Sequence, residues 1–214
     1  MAQLFPKWTN ALPKAMVIVG GVTGCGIVFT VWFWFSPYHL EVGYEPSQPV
    51  PFSHELHAGQ LGIDCRVCHT SVETGHQAGI PPTKTCMDCH ASIKPDSVQL
   101  APVHQSWADD SPIAWTRVHK LPDYAYFDHS AHIQAGVACL HCHGHVERMP
   151  RIRQVEPLSM SWCLECHRDP APRLRPPDKI TDPDWVPAQG WQDLARIKAK
   201  TLQPPVGDCS GCHR

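Results

Sequence analysis

Five copies of one short pattern, Cys-x-x-Cys-His, constrain this chain of 214 residues more than any other feature of its sequence. Two thiols at this spacing can add to the two vinyl groups of one haem, and the histidine that follows can then bind the iron. We therefore expect five covalently bound haem c groups. The cysteines predicted to hold them are Cys65, Cys68, Cys86, Cys89, Cys139, Cys142, Cys163, Cys166, Cys209 and Cys212, and the predicted proximal ligands are His69, His90, His143, His167 and His213.

Two other uses of paired cysteines explain the pattern less well. Zinc accepts four thiolates, which two neighbouring pairs could supply, but it does not require a histidine after every second cysteine. A redox-active disulfide within each pair gives that histidine no role either. Haem attachment is the interpretation that uses all three fixed positions of the motif.

The histidines outside the motifs offer ligands for the second axial position of each iron. The segment Phe52-Ser-His54-Glu-Leu-His57 precedes the first motif, and Phe127-Asp-His129-Ser-Ala-His132 precedes the third. Because histidines three residues apart lie on one face of a helical turn, one turn can serve two irons. The repeat predicts two di-haem cassettes, 52–90 and 127–167, followed by a fifth motif at 209–213.

These segments supply four of the five distal ligands that we expect. The predicted distal ligands are His54, His57, His119, His129 and His132. The reserve candidates are His76, His104 and His145. Methionine is the other plausible distal ligand and would raise the potential of its haem. Met149 and Met160, between the third and fourth motifs, are alternatives for one haem.

The amino-terminal region contains a segment suited to a lipid bilayer. Residues 15–35 carry no charge, and at 1.5 Å per residue they span about 30 Å, the thickness of the hydrocarbon layer. Lys7 and Lys14 precede this segment, so the positive-inside rule keeps the amino terminus in the cytoplasm. We expect a cytoplasmic tail at 1–14, a transmembrane anchor in the inner membrane at 15–35, a linker at 36–51 and a periplasmic haem domain at 52–214. A cleaved signal peptide or a lipobox ending at Cys25 is the weaker alternative.

The haem domain offers little chain for each cofactor. About 163 residues would wrap five haems, or roughly 33 for each, so the cofactors would replace much of the apolar core. We expect mostly loops and short α-helices around the haems, one N-terminal transmembrane helix and little or no sheet. Residues 191–201 are the best candidate for a longer helix. A formal net charge of -2 leaves no basic field for nucleic acid.

The two Phe-x-His-x-x-His segments ahead of haem motifs resemble the c7-like cassettes of multihaem cytochromes c. More narrowly, the single anchor, the order of the five motifs and the segment 157–168 (PLSMSWCLECHR) resemble the pentahaem subunit of alternative complex III, a quinol-oxidising respiratory complex. This resemblance implies an electron-transfer subunit that is not catalytic alone. The partners it implies are a polytopic quinol-binding membrane subunit, an iron–sulfur subunit, and a mono-haem cytochrome c subunit or a soluble acceptor.

Two other functions remain open from the sequence. A stand-alone anchored quinol dehydrogenase that feeds a periplasmic reductase would need a quinol pocket near residues 37–44 and a proton acceptor such as Glu41 or Glu45. A multihaem reductase would need an iron with an open axial position. Every motif here ends in histidine, whereas the nitrite-reductase family marks its catalytic haem with lysine.

Overall fold

The computed structural model describes residues 4–213, and the chain divides into two compact units. The first unit ends at Val42, and the second begins at Gly43. The first unit contains a 3-10 turn at Lys7–Ala11, helix α1 at Leu12–Trp34 and a short helix α2 at Pro37–Leu40. The side chains of α1 are exposed along its whole length. An 18-residue stretch within Lys7–Trp34 has a mean hydropathy of 2.0, so this helix is long and apolar enough to cross a membrane, and a signal sequence would have the same properties.

The second unit consists of short helices separated by irregular chain. Its α-helices are α3 (Cys65–Cys68), α4 (Thr83–His90), α5 (Ala101–Ala108), α6 (His129–Ala135), α7 (Leu140–His143), α8 (Met160–Arg168) and α9 (Trp191–Leu202). A π-helical turn covers Glu55–Gln60, and 3-10 turns cover Val98–Leu100, Val146–Arg148, Ala171–Arg173, Pro177–Lys179 and Cys209–Gly211. Strand pairing between residues 4 and 213 is limited to two isolated bridges, Ala125 with His213 and Val137 with Leu174. The predicted fold class is confirmed, and the predicted helix at 191–201 is α9.

Capping side chains explain where several haem motifs become helical. Asp64 accepts a hydrogen bond from the backbone N–H of Arg66 at the start of α3, and Ser159 accepts one from Trp162 at the start of α8. Asp208 caps the turn of the fifth motif in the same way. An acceptor at this position satisfies one of the N–H groups that a helix start leaves without a partner. Each cap therefore begins the helical turn on which a motif is carried.

The apolar core is small and divided. One cluster contains the buried residues Val137, Ala171, Leu174 and Ala195, the last of which lies on α9. Trp191, also on α9, packs against this cluster. A second cluster contains Val72, Ile133 and Ile180. Such a small core fits a chain in which a cofactor supplies much of the buried apolar surface. The second cluster also joins the region of the first motif to the region of the third.

Candidate haem-binding sites

Three motif histidines each face one of the predicted distal histidines at nearly the same separation. The ring centroids lie 6.2 Å apart for His57 and His90, 6.3 Å for His129 and His143, and 6.0 Å for His132 and His167. Metal–imidazole bonds are about 2 Å long, so two imidazoles on opposite sides of one metal ion have ring centres about 6 Å apart. These three pairs therefore have the spacing that an iron between them requires.

The hydrogen bonds of these histidines leave the correct nitrogen free. In seven predicted ligands Nδ1 lies within hydrogen-bond distance of a backbone carbonyl oxygen, which can only accept, so Nδ1 carries the proton and Nε2 keeps its lone pair. These contacts are His57 to Ser53 (2.8 Å), His69 to Gly79 (2.7 Å), His90 to Ile93 (2.9 Å), His129 to His76 (3.0 Å), His132 to Asp128 (2.7 Å), His167 to Pro205 (3.0 Å) and His213 to Tyr124 (3.3 Å). Histidines that bind a metal have this second hydrogen bond almost always.

The two predicted cassettes have the same local geometry. The ring of Phe52 stacks on His57 with centroids 4.4 Å apart, and Phe127 stacks on His132 at 4.4 Å. Each phenylalanine also meets the first histidine of its segment edge-on, at 4.9 Å for His54 and 4.8 Å for the other. The duplication seen in the sequence is therefore preserved at the level of ring contacts.

His54 is the first histidine of its segment, and its surroundings are apolar. Burial, and then the nearby charges of His69 and His57, lower the pKa of His54 to about 4. Its Nδ1 atom is buried and has no hydrogen-bond partner among residues 4–213. A neutral imidazole is the form that binds a metal. His54 thus lies near the first motif in the protonation state that iron ligation needs.

His119 contacts the third motif. Its Nε2 atom lies 3.4 Å from Nδ1 of His143, and the two rings meet edge to face with centroids 4.5 Å apart. This separation is too short for a metal ion between the rings. The role of His119 as the fifth distal ligand stays a prediction, and its contact in the structure is with Nδ1 of the motif histidine His143.

The reserve candidates have varied surroundings. His104 on α5 has a buried Nε2 atom without a hydrogen-bond partner in the described chain, whereas Nδ1 of His145 is 2.8 Å from the Glu147 carboxylate. Met149 is buried, and Met160 is exposed. Nothing in these contacts places one of them across from the fifth motif, which instead meets residues 124–126 through the bridge between Ala125 and His213.

Sequence reasoning missed the carbonyl oxygens that orient the imidazoles, because backbone groups are present in every residue and carry no sequence signal. It also missed the side-chain hydrogen bonds that hold the start of the first motif against a distant part of the chain. Asp64 accepts hydrogen bonds from the Arg66 side chain and from Thr181, which is far away in sequence. These bonds, with that of Arg66 the strongest, hold the pKa of Asp64 at about 2.

The structure bears on the two alternatives to haem. All eleven cysteines are free thiols, so no motif holds a disulfide in the described chain. Between residues 4 and 213 no group of three or more histidine, cysteine or acidic side chains is gathered as a metal cluster. The arrangement instead consists of separate thiol pairs with opposed imidazoles, and this donor set fits haem.

Comparison with known proteins agrees with this geometry. Residues 50–103, which contain the first two motifs, match the family model for cytochrome c7 and related cytochrome c. The chain is also similar to the multiheme cytochrome c subunit of menaquinone reductase from Nitratidesulfovibrio vulgaris. The two sequences are 26% identical over 189 residues, which cover 88% of this chain and 78% of that protein. Together they support a multihaem cytochrome c with covalently bound c-type haem that takes part in electron transport.

Proposed function

We propose that this chain is a membrane-anchored pentahaem cytochrome c that conducts electrons within a quinol-oxidising respiratory complex similar to alternative complex III. The ten motif cysteines would hold five haems through thioether bonds, and the motif histidines would ligate the irons. Each haem, when bound, would accept and release one electron. The protein supplies the ligands, the orientation of the imidazoles and the exclusion of water.

The observation that carries this proposal is the set of three opposed imidazole pairs, His57 with His90, His129 with His143 and His132 with His167. An iron held by both histidines of such a pair would have no position left for a substrate. A haem bound in this way would transfer electrons. A conducting subunit fits this geometry better than a reductase with an open iron.

We propose the domain arrangement that the sequence predicts: a cytoplasmic tail at 1–14, an anchor at 15–35, a linker at 36–51 and a periplasmic haem domain at 52–214. The apolar helix α1 supports the anchor. Lys7 and Lys14 on its amino-terminal side support a cytoplasmic amino terminus. Haem would then be attached on the periplasmic side.

The relative from N. vulgaris is a subunit of a menaquinone reductase, which supports a place for this chain in a quinone-linked membrane complex. We propose a polytopic quinol-binding membrane subunit and an iron–sulfur subunit as electron donors. A mono-haem cytochrome c subunit, a soluble cytochrome or a terminal oxidase would receive the electrons.

The first experiment is a haem count. The full chain, expressed with a c-type cytochrome maturation system, should carry five haems by intact mass and by the pyridine haemochrome assay. The ferric protein should show low-spin signals in electron paramagnetic resonance. A count below five, or a mainly high-spin spectrum, would contradict the proposal. The complex isolated through this subunit should oxidise quinol and reduce a cytochrome c.

The name of the relative favours a second candidate, in which the same complex reduces menaquinone. The isolated complex would then pass electrons from a reduced cytochrome to menaquinone faster than from quinol to a cytochrome. Binding of a quinone analogue to the isolated subunit would instead indicate the stand-alone quinol dehydrogenase.

A further inference from the structure

We infer that the five haem-attachment motifs form one unbranched line in space, in the order second, first, third, fourth, fifth, and that electrons enter and leave this line at its two exposed ends. This inference rests on the proposed conducting function. It adds the spatial order, which differs from the order along the chain, and it names the two ends.

The first link joins the first motif to the second. The turn that carries His54 and His57 places His57 opposite His90 of the second motif. The carbonyl oxygen of His57 also accepts a hydrogen bond at 3.0 Å from the backbone N–H of Ile63, which lies two residues before the first motif. This turn therefore joins the first motif to the second.

The third and fourth motifs are joined in the same way by the second cassette. His129 lies opposite His143 of the third motif, and His132 lies opposite His167 of the fourth. The two cassettes thus repeat one link.

The cassettes meet through their first motifs. Residues 180–181 join the first motif to the third, because Ile180 accepts a hydrogen bond from the backbone N–H of Cys139 at 3.2 Å and Thr181 donates to Asp64, next to Cys65, at 2.7 Å. The attachment edges of the first and third haems would therefore adjoin.

The fifth motif is attached to the fourth. His167 contacts the carbonyl oxygen of Pro205 at 3.0 Å. The ring of Pro205 lies so close to Gly211, inside the fifth motif, that a Cβ at Gly211 would be 2.8 Å from it. The fifth motif thus adjoins the fourth and extends the line beyond it.

Exposure agrees independently with this order. Two motif cysteines are exposed, Cys89 in the second motif and Cys209 in the fifth, and the other eight are partly buried. These two belong to the motifs at the ends of the line. A protein partner can exchange an electron rapidly only where a haem edge reaches the surface. One electron would enter at one end and one would leave at the other, with no bond made or broken.

The deciding experiment is a structure of the full haem-loaded chain with the irons located by anomalous scattering. Each iron is assigned to a motif by its thioether bonds. We expect nearest-neighbour irons in the order stated, with the haems of the second and fifth motifs the most exposed. A branched arrangement, another order, or an exposed haem in the middle would overturn the inference. Five haems in a different order would leave the proposed function intact, whereas a lower haem count would contradict that function itself.

A matched pair of variants tests the line in solution. Cys139→Ser with Cys142→Ser removes the middle haem, and Cys209→Ser with Cys212→Ser removes an end haem. Both variants should carry four haems by mass. Removing the middle haem breaks two links and removing the end haem breaks one, so magnetic coupling between ferric haems should fall more in the first variant. An equal loss in two folded variants would overturn the stated order.

Discussion

Nε2 of His119 lies 3.4 Å from Nδ1 of His143, so this proximal histidine faces an imidazole where the other four motif histidines face a backbone carbonyl. An acceptor at Nδ1 makes the imidazole a stronger electron donor to the metal. The chemical character of the acceptor therefore distinguishes the third site from the other four. It also gives His119 a role that a search for iron ligands would not predict.

We expect His119→Leu to raise the reduction potential of one haem while all haems stay low-spin, because His143 loses its acceptor. His119→Gln, which keeps an acceptor, should restore part of the original potential. Redox titration with electron paramagnetic resonance measures both effects, and His39→Leu, in the first unit of the chain, is the control. A new high-spin signal in His119→Leu would instead make His119 a distal ligand.

His132→Gly should give one five-coordinate haem, because it removes the imidazole opposite His167. The ferric protein should show a high-spin signal, bind carbon monoxide when reduced, and return to low spin with added imidazole. His57→Gly should behave in the same way because the second cassette repeats the first. His39→Gly, in the first unit of the chain, is the control. A spectrum unchanged from that of the unmodified protein would contradict the pairing.

Asp64→Asn should destabilise the protein at neutral pH by about 1 kcal/mol, a figure reduced because the carboxylate is partly exposed and screened by solvent. The pKa of Asp64 is about 2 in the folded protein, below its ordinary value of 3.8. The carboxylate therefore contributes stability above pH 4, and this contribution is lost as the pH falls towards 2. Urea unfolding at several pH values should show the difference between the two proteins shrinking over that range. Asp96→Asn, at an exposed position, is the control. A stability difference between Asp64→Asn and the unmodified protein that does not change with pH would argue against the ionised carboxylate as the cause.

Arg175→Met should cost about 1 to 3 kcal/mol of stability, because it leaves the carbonyl oxygen of the half-buried Asp182 without its donor. Arg175 is 7% exposed, donates from Nη1 to the carbonyl oxygen of Asp182 at 2.6 Å, and lies 5.0 Å from the ring centre of Trp185. Arg196→Met on the exposed face of α9 should have little effect. Equal urea midpoints for the two variants would show that the buried contacts of Arg175 contribute no stability.

The sequence alone predicted the fold class, because five attachment motifs in so short a chain leave room for short helices and loops and little else. It also indicated that each Phe-x-His-x-x-His turn would serve two sites, since that property depends only on helical periodicity. The end of α9 and the capped starts of α3 and α8 follow from equally local rules. The spacing could not say which two sites each turn serves.

The tertiary structure decided which motif histidines lie opposite His57, His129 and His132, and which carbonyl oxygens face their Nδ1 atoms. The ring centres of His132 and His167 are 6.0 Å apart although 35 positions separate the two residues in the chain. Thr181 likewise donates a hydrogen bond to the distant Asp64. Attachment of a cofactor depends on residues that are neighbours in sequence, so the sequence by itself determines it. The opposite face of each site is supplied by distant segments that meet only when the chain packs, and only the folded structure determines that meeting.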